Sequence, residues 1–428
     1  MSEEKKSHGP SAATVSTSAK LSEAKTPRRP LWRQLALIGP AFVVGAWQFG
    51  PGNLTTAVQA GSTYQYELIW VIAISTTLMI FLADMSVRIG IRTPVSVISS
   101  IKDHLGRPVG ALAGVGVFLM TLMFSVGNAV GSGLGLSMLF GGSPMLWTVA
   151  CSVATGALLF LRNVYRVVEI ALVAVVALMA ITFVASAALS KPDWGMAAGG
   201  LIPAVPDGAW VLIIALVGTN FSINAAFFTS YATKQHGHTA ADYRDLTLID
   251  TIPGIVAPGI MTALVIIAAA TALGRNGEGV NTIAALARVF EPVAGRVGSF
   301  MFALGFFGAA FSSMIGNATA GGTMLSDALG RGASSNSRAA RIVSGILLTL
   351  VAVITVLFQA SPVQLIVFAQ ALTIPIAPIL ATLIVIMSNH KTLMGDMRNR
   401  WWQNVFGVIG VVAVLALSVR LITRLIGG

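Results

Sequence analysis

Charge is scarce in this 428-residue chain: only 10% of its residues are Asp, Glu, Lys or Arg. A soluble domain carries about a quarter, so two or three soluble domains could not be covered with what is present. Cysteine is nearly absent as well. The one cysteine, Cys151, lies in an apolar run, which excludes a disulfide framework and a thiolate metal site and leaves a small buried hydrophobe. Histidine is kept out of the apolar stretches. His8, His104, His236, His238 and His390 all fall in the N-terminal tail or in loops, and no acid falls near the middle of an apolar run. An enzyme needs an acid pair or a nucleophile beside a base, and the apolar interior offers neither.

Apolar sequence is what the chain has, at 55% of all residues. Runs near 20 residues recur along it, each long enough to cross a hydrocarbon core of about 30 Å. They are continuous and rich in Leu, Ala, Val and Ile, whereas barrel strands alternate over shorter segments. The pattern predicts an all-α integral membrane protein with about eleven spans. These lie near 35–60, 67–90, 109–139, 145–161, 166–189, 209–234, 248–273, 297–325, 340–359, 361–388 and 403–426. Residues 1–30 are Ser, Thr, Ala, Lys and Pro with few large apolar side chains, a tail expected to be disordered and not a secretory signal. The transmembrane domain then covers 31–428.

The net charge of +11 does not mark nucleic-acid binding, because it is distributed by topology. With the N-terminus cytoplasmic, only Lys191, Arg275, Arg288, Arg296, Arg420 and Arg424 of the 27 Lys and Arg lie outside. That bias orients the protein, with the C-terminus outside if the span number is odd. A bacterial inner (plasma) membrane location follows. The partners expected are the lipid bilayer and a small solute, with the chain a monomer. Among acids near span ends, Asp84 precedes Arg88 by four residues, a helical ion-pair spacing, and Glu67, Glu169 and Asp250 read as capping or pairing residues.

Two spans carry breaks. The first is interrupted at Phe49-Gly50-Pro51-Gly52-Asn53, the sixth at Gly218-Thr219-Asn220-Phe221-Ser222-Ile223-Asn224. Two glycines around a proline do not continue a helix cheaply. Backbone groups freed within lipid must line a cavity or be buried in protein. The breaks open two five-span halves, 35–189 and 209–388, which run in opposite senses because five is odd; 403–426 is an additional helix. This is the inverted-repeat transporter plan, with its site at the midplane between broken helices. Small-residue strings such as Gly127 to Gly133 are expected to let helices approach closely.

Span one, from Gly39-Pro40 through Gly50-Pro51-Gly52-Asn53 to Gln59-Ala60-Gly61 and Leu68-Ile69-Trp70-Val71, resembles the NRAMP family of metal-ion transporters. Arg88-Ile89-Gly90-Ile91, Gly135-Leu136 to Leu139-Phe140 and the Gln370 region extend the likeness over most of the membrane portion. The resemblance implies a LeuT-type fold and alternating-access transport. In typical members an Asp-Pro-Gly-Asn motif binds metal together with a methionine from the sixth-span break. Here Gly50 stands where the aspartate would be, while Pro51, Gly52 and Asn53 match. The usual Met-Pro-His becomes Ser222-Ile223-Asn224, and a following His-Ser becomes Thr229-Ser230. Two span-three acids linked to proton transfer become Ser125 and Asn128, so the family's proton route is expected to be absent. Asn53 and Gln370 are what remains of the usual polar ligands.

A dehydrated divalent cation asks for carboxylate, imidazole or sulfur ligands. Gly50, Pro51, Gly52, Asn53, Ser222, Asn224 and Gln370 offer only neutral dipoles. Half-helix N-termini and close-approaching amides suit negative charge, and Thr55 and Thr56 can either donate to a ligand or cap their own half-helix. The expected cargo is therefore a small oxyanion such as bicarbonate. The alternatives are a divalent metal ion (magnesium or manganese) and a transport-dead sensor or scaffold. Asn128, Thr219, Asn220 and Asn317 are candidate pathway residues. By analogy with the LeuT plan, Ser312 and Ser313 face a sodium site. No cofactor is expected beyond a possible coupling ion such as sodium.

Overall fold

The computed structural model describes residues 47–160, 191–273, 291–358 and 361–427, with Gly39, Gly45 and a few positions between 177 and 188. The tail, most of the first half of span one, most of span five with its Arg166–Glu169 pair, and the Gln359 link lie outside the described residues. All regular structure described is helical. In chain order it begins with α1 (Pro51–Tyr64), α2 (Ile69–Arg92), α3 (Val97–Leu105), α4 (Arg107–Phe140) and α5 (Pro144–Phe160). After α6 (Trp194–Gly199) come α7 (Trp210–Asn220), α8 (Ile223–Gln235) and α9 (Tyr243–Leu246). A π-helical turn at Thr247–Thr251 leads into α10 (Ile252–Ala272), followed by α11 (Glu291–Ala328) and α12 (Arg338–Leu357). The chain closes with α13 (Pro362–Ala371), α14 (Ala377–Asn389), α15 (Lys391–Met394) and α16 (Trp401–Ile426).

Among the described residues seven helical stretches are long and apolar enough to cross a bilayer, with α7 and α8 taken as one stretch and α9 to α10 as another, or eight if the pair bent by 64° at His390 is one span. The expected span number of eleven includes span five, which is largely undescribed, and shorter helices such as α5 and α13.

Both expected breaks are present. Helical residues at Gly45, Trp47 and Gln48 end at Phe49, and α1 restarts at Pro51 with Gly50 as its extended N-cap. α7 ends at Asn220 and α8 begins at Ile223, leaving Phe221 and Ser222 non-helical. A third break corrects the sequence reading. Span ten, expected to be continuous over 361–388, is divided between α13 and α14 at Leu372–Ile376. The segment is Leu-Thr-Ile-Pro-Ile; Pro375 removes one donor, and Thr373 Oγ1 donates to the Gln370 carbonyl at 2.7 Å. The loop helix α3 is also additional to the eleven spans, started by Ser96, whose side chain accepts from Ser99 N–H.

α4 and α11 form the most extensive helix pair and wall one side of the breaks. The glycine string sets how closely other helices approach α4. A Cβ at Gly131 would lie 2.4 Å from Pro51 Cβ, and one at Gly133 would lie 2.1 Å from Thr148 Oγ1. The small residues let α4 lie directly on α1 and α5, as expected. Cys151 is buried in α5.

Candidate functional site

The helix breaks open onto one small cavity, lined by residues of the span-one break, α4, α7, α8, α11 and α13. It offers about 20 Å³ to the centre of a water molecule, room for one or two small occupants. Gly50, Gly52, Asn53, Asn128, Thr219, Ser222, Asn224, Asn317 and Gln370 all border it. Among the described residues no Asp, Glu, His or Cys borders it. Among the described residues no group of three or more such side chains is placed to hold a metal.

Gln370 is the centre of the arrangement. Its side chain is 1% exposed, and neither its amide nitrogen nor its amide oxygen has a protein partner. Glycines hold it there: a Cβ at Gly52 would meet Gln370 Nε2 at 2.3 Å, and one at Gly127 would meet it at 2.6 Å. The carboxamide thus lies in a slot that any other residue at 52 or 127 would fill. Asn128 Nδ2 and Gln48 Nε2 are likewise buried and unpartnered. A buried polar atom without a partner is uncommon and calls for an explanation. Three carboxamides around one cavity have an explanation in a polar ligand.

The remaining amides are held by protein. Ser222 Oγ donates to Asn224 Oδ1 at 2.9 Å, Asn224 Nδ2 donates to Asn317 Oδ1 at 3.0 Å, and Asn317 Nδ2 donates to the Ser313 carbonyl at 3.0 Å. This chain ties the sixth-span break to α11. Asn53 Nδ2 donates to the Gln48 carbonyl at 3.2 Å, and its Oδ1 accepts from Thr262 Oγ1 at 3.0 Å. Gly50 sits opposite Asn128 and Ser313: a Cβ there would lie 3.1 Å from Asn128 Oδ1 and from Ser313 Oγ.

Several expected site residues stand elsewhere. Thr56 Oγ1 donates to the carbonyls of Gly52 and Asn53 at 2.8 and 3.0 Å, so it bonds within its own half-helix. Thr55 is fully buried off the cavity, its hydroxyl without a partner. Pro51 packs against α4 at Gly131. Asn220 turns to α2, where its amide nitrogen donates to Ser75 Oγ and Thr76 Oγ1, both at 2.7 Å. Ser312 Oγ donates to the Ala309 carbonyl at 3.2 Å and Ser313 Oγ to the Trp47 carbonyl at 3.0 Å. Trp47, Gln48, Phe124 and Ala225 line the cavity without having been singled out. Gln48 was findable as the polar residue of an apolar run one turn before the break.

The acids lie apart from this cavity. Asp84 accepts from Arg88 Nε at 3.0 Å and from Tyr243 OH at 2.7 Å, while Arg88 also donates to the Met397 carbonyl and to Asn399 Oδ1. Asp327, in the last turn of α11, accepts from Ser96, Ser99 and Tyr231 and lies 3.8 Å from Lys102 Nζ. Asp250 in the π-helical turn accepts from Gly39 N–H at 2.9 Å.

A helical membrane protein with interrupted helices around an enclosed polar cavity has the architecture of a LeuT-type transporter. By its match to the natural resistance-associated macrophage protein-like model over residues 41–424, the chain belongs to the Nramp family. It is 27% identical over 391 residues to the divalent metal cation transporter MntH of Klebsiella pneumoniae (strain 342), covering 90% of this chain and 93% of that protein. It is also 27% identical over 413 residues to MntH of Yersinia pestis (strain Pestoides F), covering 94% and 98%. A mutant of the Eremococcus coleocola manganese transporter has the same fold, with a TM-score of 0.75 at 19% identity over 94% of this chain and 90% of that one. MhsT in complex with L-phenylalanine matches with a TM-score of 0.58 at 16% identity, over 88% and 98%.

Proposed function

We propose that the chain is a secondary transporter that carries a small inorganic ion through this cavity by alternating access. Its small size, about 20 Å³, suits an inorganic cargo. The unpartnered Gln370 carboxamide in its glycine slot is the observation that carries the reading. The membrane is taken to be a bacterial inner membrane with the N-terminus on the cytoplasmic side.

The cargo best supported is a divalent cation that keeps part of its water shell. The MntH relatives are named for that cargo, which moves the cation ahead of the oxyanion favoured by the sequence. The geometry allows it: a half-turn of each free carboxamide exchanges nitrogen for oxygen, so Gln48, Asn128 and Gln370 can present oxygens to a cation. The carbonyl ends of the half-helices closing at Phe49 and Asn220 add negative dipole. Magnesium retains waters readily, which lowers the demand on neutral ligands.

A small oxyanion is the second reading, and a specific observation favours it. The cavity has no carboxylate, while three of its unpartnered atoms are amide nitrogens. The half-helix N-termini at Pro51 and Ile223 add donors. Flux into liposomes of manganese, magnesium and bicarbonate, with and without a sodium gradient, separates the readings. Metal flux is the expected result. Bicarbonate flux without metal flux replaces it with the oxyanion, and flux of none supports the sensor reading.

A further inference from the structure

A second cavity, of about 280 Å³, opens between α2, α7 and α16 and is lined almost wholly by hydrocarbon. Apolarity alone means little on a lipid-facing surface, where every helix is apolar. Depth, floor and mouth distinguish this groove.

From the floor of the groove to the first charge beyond its mouth is the span of one leaflet. Along α16 the groove runs from Gly410 to Leu417, with Arg420 one turn beyond it. Ten residues at about 1.5 Å each separate Gly410 from Arg420. That is about 15 Å, half of a hydrocarbon core of about 30 Å. On α7 the lining runs from Trp210 down to Val217 and on to Phe221 at the helix break, which places the floor near the midplane. The floor and back are made by small residues. Gly410, Ala413 and Ala416 leave α16 concave, and a Cβ on Gly410 would come 3.2 Å from the Phe221 ring.

The mouth carries aromatic rings and positive charge. Trp70 and Trp210 stand at it, the position where tryptophan meets headgroups. The Arg420 guanidinium lies 5.0 Å from the Trp210 ring centroid, and Arg424 follows one turn on; both are exposed. Among the described residues neither guanidinium makes an ion pair or hydrogen bond. This end is opposite the basic loops, so the positive-inside bias does not account for the two charges.

We propose that the groove binds one anionic glycerophospholipid, an acyl chain lying in it down to Phe221 and the phosphate held by Arg420 and Arg424. The occupant is fixed by complementarity: a chain one leaflet long, with an anion at the outer end, matches a groove whose floor lies one leaflet from the cations at its mouth. The site is separate from the ion cavity, and its existence does not depend on the identity of the cargo. Because Phe221 joins α7 to α8, the bound chain packs against the break that the ion cavity uses.

The test is native mass spectrometry of the purified, delipidated full chain titrated with phosphatidylglycerol or phosphatidylcholine. Wild type is expected to hold one phosphatidylglycerol under conditions that strip phosphatidylcholine and further lipids. Ala413→Trp fills the groove and should lower that occupancy about tenfold. Arg420→Gln and Arg424→Gln, on the exposed surface where folding is not at stake, should each lower it about fivefold. Val412→Trp, on an outward-facing position of the same helix that does not line the groove, should leave occupancy unchanged. Equal occupancy in all four variants, equal retention of the two lipids, or no retained lipid in wild type would overturn the proposal. So would a retained molecule of another class or a second copy of the chain across α16.

Discussion

Polar groups are buried in two regions of this protein, and the two are organised in opposite ways. At the ends of α2 and α11, Asp84, Arg88 and Asp327 are charged residues whose contacts are made within the protein. Around the cavity at the helix breaks the groups are neutral, yet Gln48, Asn128 and Gln370 leave amide atoms unpartnered. Buried charge is tolerated when it is paired and hydrogen-bonded. Buried amides without partners persist when something other than the protein supplies them. For charged and carboxamide side chains the two regions differ in satisfaction and not in burial; hydroxyls do not follow the division, since Ser86, Ser100 and Ser326 beside the charged clusters are also buried without partners.

The strongest way to break the comparison is to unpair the scaffold. Arg88→Met leaves the Asp84 carboxylate buried without its guanidinium, and should cost about 3–5 kcal/mol of stability. Thermal unfolding in detergent measures it; a change below about 1 kcal/mol would place the network among the dispensable surface pairs.

Gly50→Asp introduces charge into the neutral region. Gly50 has φ −86° and ψ −178°, an extended conformation open to any residue, and its new Cβ would only press on Asn128 and Ser313. At about 6 Å and an effective dielectric of 20, the carboxylate is worth about 3 kcal/mol to a monovalent ion. Anion flux should fall about a hundredfold, and manganese affinity should rise. Flux assays on the variant with both ions check the sign, and an unchanged ratio would remove position 50 from the site.

Gln370→Leu sharpens the comparison at lower amplitude. Removing an unsatisfied buried amide should leave stability unchanged or improve it, while transport falls about tenfold through loss of one charge-assisted contact of about 1.5 kcal/mol. Loss of stability in step with transport would make Gln370 a scaffold residue.

The smallest effect belongs to His238, in the loop after α8. Burial, with help from His236, lowers its pKa, against the opposing pull of Asp242 and Asp250. The neutral form is favoured by folding, so its contribution is present above about pH 6.5 and is lost as pH falls through the folded value. Unfolding midpoints followed from pH 7.5 to 5 should decline, and His238→Gln should flatten the decline.

Much of the fold was legible because breaks are written in proline, glycine and asparagine. Gly50-Pro51-Gly52 and the Asn220–Asn224 segment announce themselves within apolar runs. The break after Ala371 does not, because a lone Pro375 within Leu, Thr and Ile reads as an ordinary membrane kink. For the site, residue type identified the cavity's amides, and Asn53, Asn224, Asn317 and Gln370 all border it. Direction could not be read: Thr56 turns back to its own helix and Asn220 turns away to α2. Trp47 and Gln48 sit on the turn before the break, and their role emerges only when the half-helix ends are brought together.

The glycine slot also restricts how this protein could acquire a new cargo. At position 52 the missing side chain is structural, since Gln370 occupies the space a Cβ would take. At position 50, two residues earlier, a side chain meets neighbours at 3.1 Å that can yield by a few tenths of an ångström. Random substitution therefore samples the cavity wall unevenly. Any change at 52 must push the Gln370 side chain out of its slot and so rebuilds the cavity, whereas changes at 50 add a group to a cavity left in place.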